Sequence, residues 1–256
     1  MFIKQVPDTN DVKWTENNNI DRSNMESVIN PADKQAIEAS LLLKERYGAN
    51  ITAITMGPSC SVAVLKEAIA MGVDEAFLLC DSKFAGSDTC ATSKVLAAAI
   101  EQKAPQTDLI LFGQTAIDGE TGQTGASTSA RLNLNCISNV NEILELQDNF
   151  ITVVSENEVE KITLKAELPV VVCINNYVIK PRLPRINGYI RAQEYTYKSF
   201  KNFDLHLQPE ETGVKGSPTY VSKVFKNEEK RNCKVLNCED ENTIKSAVEL
   251  IKEATK

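Results

Sequence analysis

The sequence predicts an α/β fold: a doubly wound, mostly parallel sheet with a β extension and a C-terminal arm. Three observations predict it. Between Asn30 and about Asn135, short apolar runs alternate with longer segments whose apolar residues recur at helical spacing. From about Ser138 the texture changes to β-rich runs joined by short polar turns, NVNEILELQ, NFITVVS, KITLKA and PVVVCIN. After Tyr177 the chain becomes irregular and poor in apolar residues until a closing amphipathic stretch, ENTIKSAVELIKEATK. Strand, helix, strand in this rhythm gives parallel pairing, because a parallel connection needs a long crossover and the helix supplies it.

Each element has its own signal. MFIKQVPD offers only a few extended residues before the VPD turn. Asn30-Pro31 with Asp33 opens a helix, since Asn can cap and Pro suits the first turn; AIEASLLLKERYG then carries it to Gly48. NITAITMGP reads as a strand, SVAVLKEAIAMG as a helix ending at Gly72, and EAFLLC as the next strand. SDTCATSKVLAAAIEQKA is a third helix capped by Ser87 or Asp88, and DLILFG is a third strong strand. His206 alternates with apolar neighbours in FDLHLQ and reads as an ordinary strand residue. Residues 200 to 240 carry too little core-forming material to fold alone and read as an arm lying on another surface. The division expected is 1–185 for the α/β domain with its β extension, and 186–256 for a docking segment, arm and closing helix.

Composition removes several function classes. With 28 basic and 35 acidic residues among 256, the net charge of -7 argues against a surface for nucleic acid or anionic lipid. One histidine and no CxxC pair leave little for a zinc site or a histidine triad. Seven scattered cysteines, several in apolar runs, fit buried reduced thiols in the cytoplasm. No apolar run reaches the roughly 20 residues of a membrane span, and no charged-then-apolar leader opens the chain.

The stretch that carries chemistry is GQTAIDGETGQTG, residues 113–125, directly after DLILF. In a parallel α/β sheet ligands sit at the carboxyl ends of strands, where loops enter helix N-termini. Gly113, Gly119, Gly122 and Gly125 let backbone approach a ligand, and the N–H groups opening the next helix face an anion such as a phosphate. The hydroxyls of Thr121 and Thr124 and the amide of Gln123 add donors. Asp118 and Glu120 sit badly against phosphate, so they accept from ribose hydroxyls or hold the loop's own N–H groups. Alternatively, Gly122 and Gly125 only let a helix pack closely on the sheet. The loop is neither GxGxxG nor GxxxxGK.

Several long stretches in their order, IKQVPDT, INPADKQAIEASLLLKE, MGP, LKEAIAMGVDEAFLL, FAGSDTCATSKVLAAAI and DLILFGQTAIDGETGQTG, resemble the electron transfer flavoprotein β subunit over residues 2 to 195. The resemblance implies a Rossmann-like, adenine nucleotide-binding fold and a partner α subunit. Nucleotide contacts are implied at Phe2, at Asn30, Pro31, Ala32 and Asp33, at Met56, and from Gly113 through Gln114, Thr115, Ala116, Ile117, Asp118, Gly119, Glu120, Thr121, Gly122 and Gln123 to Thr124. DGETGQTG and FAGSDTCATS are similar to the NADH-linked, bifurcating branch, which implies FAD in this chain; the ordinary branch implies AMP. The bifurcating branch implies electrons from NADH divided between ferredoxin or flavodoxin and, through the α-subunit FAD, an acyl-CoA dehydrogenase. No catalytic acid or base is implied. KPRLPRINGYIRA resembles the family's docking segment, with Arg182, Arg185 and Arg191 steering an acidic partner and Ile186 at the apolar anchor. The first strand is about four residues shorter than usual in that family, SENEVEKITLKAELPVVV replaces a glycine-bearing acidic turn, and Lys180 stands where an acid commonly precedes Pro-Arg.

Overall fold

In the computed structural model the described residues are 1–8, 27–119, 121–223 and 241–254. Residues 1–222 form one compact unit, and the C-terminal helix belongs to another.

The chain starts as an extended segment, residues 1–3, followed by β1 (Gln5–Pro7), which pairs antiparallel with β2 (Ser27–Ile29). α1 (Pro31–Tyr47) begins on a proline and ends at Gly48, whose φ of 72° is the left-handed value glycine adopts without strain. β3 (Thr52–Met56), α2 (Val62–Met71) and β4 (Glu75–Leu79) follow, then α3 (Thr89–Lys103), β5 (Leu109–Gly113) and α4 (Thr124–Leu132). The extension is β6 (Asn135–Gln147), β7 (Phe150–Glu156) and β8 (Lys161–Glu167), and β9 (Val170–Ile174) returns to the parallel part. α5 (Ile186–Glu194), β10 (Lys198–Phe200) and the short α6 (Gly213–Gly216) complete the unit; α7 (Glu241–Ala254) stands by itself.

The sheet is doubly wound. β10, β4 and β3 run parallel, as do β5, β9 and β6, while β6, β7 and β8 form an antiparallel meander. Residues 1–3 join the two parts: Ile3 N–H donates to Ile54 C=O and Ile54 N–H to Met1 C=O, while Phe2 N–H donates to Leu111 C=O on β5, each at 2.9 Å. A very short first segment is sufficient because it is bonded on both sides. β9, VVVCI, is buried at every position, as a central parallel strand covered on both faces must be. α1 and α2 pack on one face with Ile37, Leu65 and Ile69; α3 packs on the other with Val95 and Ala99. Each such fully buried aliphatic side chain contributes about 1.5–3 kcal/mol.

Three expectations are corrected. Asn30 makes no side-chain cap to α1, because its amide is used across the sheet. His206 is not in a strand: it closes a 3-10 turn with φ 55°, and Asn202 Nδ2 donates to Leu207 C=O at 2.7 Å around it. Residues 200–222 do not leave the domain. β10 adds a parallel strand beside β4, Leu205 enters the core, and the buried Asn202 and Thr212 bond each other while Asn202 N–H donates to Asp81. A polar network replaces the missing apolar residues there. Residues 224–240, the rest of the expected arm, lie outside the described residues. No helix among the described residues is long and apolar enough to cross a membrane.

Candidate functional site

The strand ends meet around Asp33, in the first turn of α1. Its buried carboxylate accepts from Lys4 N–H at 2.7 Å and Gly113 N–H at 3.1 Å, tying the ends of two strands to one helix start. Burial pushes its carboxyl up to about 7, against the opposing pull of those donors. Gly113 is required by this approach, since a Cβ there would lie 2.4 Å from Asp33 Oδ1 and 2.6 Å from the Ala32 carbonyl carbon. Asn30, equally buried, donates to Thr115 C=O at 2.8 Å and accepts from Ile117 N–H at 3.2 Å. Gln114 Oε1 accepts from Asn139 N–H at 2.8 Å, and Thr115 Oγ1 accepts from Asn176 Nδ2 at 3.0 Å. The first half of the loop is therefore held by the fold itself.

Its second half is open. Asp118 Oδ1 is 2.5 Å from Lys4 Nζ, and its side chain is only 6% exposed against 44% for the lysine. Gly119 is exposed, with Lys4 Nζ as the nearest neighbour of a Cβ built there, and Gly122 has φ 62°, which turns the chain toward α4. The first-turn N–H groups of α4, from Thr124 onward, have no intrahelical partner, as at any helix start. Beside them lies a cavity of about 600 Å³, within the usual size range of a ligand site. It is lined by Thr121 and Gln123 of the loop, by Thr89 and Cys90 at the start of α3, and by Arg131 of α4. The Thr89 and Thr121 hydroxyls, 3.3 Å apart, hydrogen-bond to each other at its wall. Asp88 caps α3 through Ala91 N–H at 3.0 Å and also receives Thr219 Oγ1 at 2.7 Å. Arg131 is held by Ser93 Oγ at 2.9 Å and lies 3.1 Å from Cys90 Sγ.

Of the residues singled out in the sequence, Asn30, Asp33 and 113–119 come together at the strand ends. Thr121 and Gln123 reach the cavity, and Glu120 lies outside the described residues. Pro31 and Ala32 open α1 beside them, with Ala32 buried against Gly113. Met56 ends β3, half-buried, and the buried Phe2 ring stacks on Phe112 at 4.8 Å, so Phe2 presents backbone rather than ring at the strand edge. Gly125 serves packing: a Cβ there would meet Cys173 Sγ at 2.4 Å. The thiols of Cys173 and Cys136 are both free; a hydrogen bond between them, together with burial, pushes the Cys173 thiol up, and the same hydrogen bond lowers that of Cys136. Lys4, Thr89 and Arg131 were not singled out. FAGSDTCATS carried a signal for Thr89; nothing in the spacing joins Lys4 to Asp118.

The segment 180–192 separates into two kinds of residue. Arg182 is committed inside the chain, with Nη2 2.7 Å from Glu38 Oε1 and Nη1 2.5 Å from Glu45 Oε1, and these carboxylates raise its pKa further. Arg191 Nη2 donates to Asp74 C=O at 2.6 Å. By contrast Ile186 is 80% exposed and Leu183 86%, beside Tyr189 and Ile190, also exposed. Arg185 opens α5. Gly188 seats that helix on α2, since a Cβ there would fall 2.1 Å from Ala70 O.

The description "Electron transfer flavoprotein domain" matches residues 18–197. The chain is 36% identical to the electron transfer flavoprotein subunit beta of Megasphaera elsdenii, over 94% of this chain and 91% of that protein. It is 37% identical to the caffeyl-CoA reductase-Etf complex subunit CarD of Acetobacterium woodii, over 87% of this chain and 85% of that one. It is 34% identical to protein FixA of Azotobacter vinelandii, over 87% and 82%.

Proposed function

The chain belongs to the electron transfer flavoprotein family as a β subunit, and from that premise we propose that it holds FAD at the 113–124 loop and works in a cytoplasmic complex with its α subunit. The cavity beside the loop carries this reading. About 600 Å³ at the starts of α3 and α4, beyond the self-satisfied strand-end cluster, gives a dinucleotide space to extend past the strand ends.

The residues present fit such a group. Gly119 leaves the backbone exposed, Gly122 turns it toward α4, and the start of α4 favours a phosphate. Thr89 and Thr121 supply hydroxyls, and Arg131, held by Ser93, a fixed cation. A flavin bound here would supply two-electron acceptance from NADH and one-electron delivery onward, to ferredoxin or flavodoxin and to the α-subunit FAD. The protein's part is to hold it, limit water and set the local charge; no side chain is assigned as acid or base.

Leu183, Ile186, Tyr189 and Ile190 form the apolar face that meets the dehydrogenase, with Arg185 on its rim. Caffeyl-CoA and acryloyl-CoA appear in the names of two relatives, which supports an acyl-CoA oxidoreductase as that partner.

The test is the nucleotide content and visible spectrum of the purified heterodimer. Two flavins per heterodimer, bleached by NADH with a low-potential acceptor present, is the expected result. One flavin plus one AMP refutes FAD here and selects a β subunit that braces its fold on AMP.

A further inference from the structure

The loop proposed to hold a nucleotide contains an acid, Asp118, in a place where phosphate oxygens would be repelled. The structure puts a cation on it. Lys4 Nζ lies 2.5 Å from Asp118 Oδ1, and the carboxylate is almost wholly covered while the lysine stays 44% exposed. Gly119, the next residue, carries no side chain, and a Cβ built there would have Lys4 Nζ as its nearest neighbour at 3.9 Å. The ammonium therefore lies just where the loop has an opening. Its backbone is fixed, because Lys4 N–H donates to Asp33, which also holds Gly113. In the strand-end cluster, Asp33 has its carboxyl raised by burial and does not repel an anion as an exposed carboxylate does.

Resting on the nucleotide reading above, we propose that Lys4 is a specificity-determining positioning residue: by neutralising Asp118 beneath the loop opening, it makes the site select phosphate-bearing nucleotides over neutral nucleosides. A compact ammonium suits this, since it can bridge a carboxylate and a phosphate oxygen together. Because the Asp118 carboxylate is nearly covered, removing Lys4 alone also costs stability, so the effect on ligand charge is read from the difference between AMP and adenosine, which a loss of stability does not move.

The experiment uses the full chain purified with its α partner and stripped of nucleotide, with AMP and adenosine titrated calorimetrically. Lys4→Ala, Lys4→Gln, Asp118→Asn and the double variant Lys4→Ala/Asp118→Asn are compared with the parent. Removing one positive charge at about 10 Å, at an effective dielectric near 20, corresponds to roughly a tenfold loss, so Lys4→Ala and Lys4→Gln should weaken AMP by about that factor. Adenosine should change by less than about twofold, Asp118→Asn should not weaken AMP, and the double variant should restore AMP to within about threefold of the parent. Equal losses for AMP and adenosine would mean that Lys4 only shapes the loop, and would overturn the proposal. So would an unchanged AMP affinity in Lys4→Ala, or no recovery in the double variant. A parent that binds neither ligand overturns the nucleotide reading itself, an outcome distinct from all of these.

Discussion

Replacing Gly188 by alanine sets two effects of opposite sign against each other. Within a helix alanine is favoured over glycine by about 0.5–1 kcal/mol. Against that, the new Cβ would stand 2.1 Å from Ala70 O and 2.9 Å from Ala70 C, backbone atoms of α2 that no rotamer change can move aside. An ordinary C···O contact is about 3.3 Å or longer, so the two helices must separate by on the order of 1 Å. Overpacking of this kind costs about 1–3 kcal/mol. The clash outweighs the propensity gain, for a net loss of about 1–2 kcal/mol. The loss should be local, because α5 buries only Ala192 fully and is otherwise pinned to α2 by Lys66 to Gln193 and to the turn before β4 by Arg191 to Asp74 C=O. Thermal unfolding should shift down by about 2–4 °C per kcal/mol. Amide exchange should accelerate first across 186–194, and reduction of the dehydrogenase partner should slow while bound nucleotide is unchanged. A variant as stable as the parent, with α5 exchange unaltered, would refute the seating of α5 against the Ala70 carbonyl.

Other substitutions probe the remaining contacts. Gly125→Ala should destabilise by about 1–3 kcal/mol by driving α4 into Cys173 Sγ, and Cys173→Ala in the same chain should recover part of that loss in denaturant melts. Asp33, raised from 3.8 to about 7, binds a proton more readily folded than unfolded. Its contribution is therefore fully present below about pH 4 and lost as pH rises through 7; the unfolding midpoint should fall across that window, and Asp33→Asn should flatten the slope. Arg182→Ala leaves Glu38, only 7% exposed in its side chain, without its bidentate partner and should cost about 2–4 kcal/mol by chemical denaturation. Arg185→Ala should leave stability within about 0.5 kcal/mol and lower the association rate with the dehydrogenase, read by stopped flow at low salt.

Much of the fold was legible because its signals are local. The proline opening α1, Gly48 closing it and the apolar runs of β3, β4, β5 and β9 each fix their own segment through φ preferences or periodicity. FDLHLQ misled for a related reason: alternation alone cannot see that Asn202 closes a turn around Leu207. The segment 200–222 misled because an apolar count is blind to a buried polar network such as Asp81, Asn202 and Thr212.

By itself the sequence determined the α/β rhythm, the glycine-rich loop after DLILF and the resemblance that names the family, since these are properties of neighbouring residues and their order. Only the tertiary structure decided which side chains of that loop are free. It committed Asn30, Gln114 and Asp33 to the scaffold, spent Arg182 on Glu38 and Glu45, and set Lys4 on Asp118 across 114 positions of sequence. Pairings over that distance depend on which strands lie side by side, and the sheet alone sets that order.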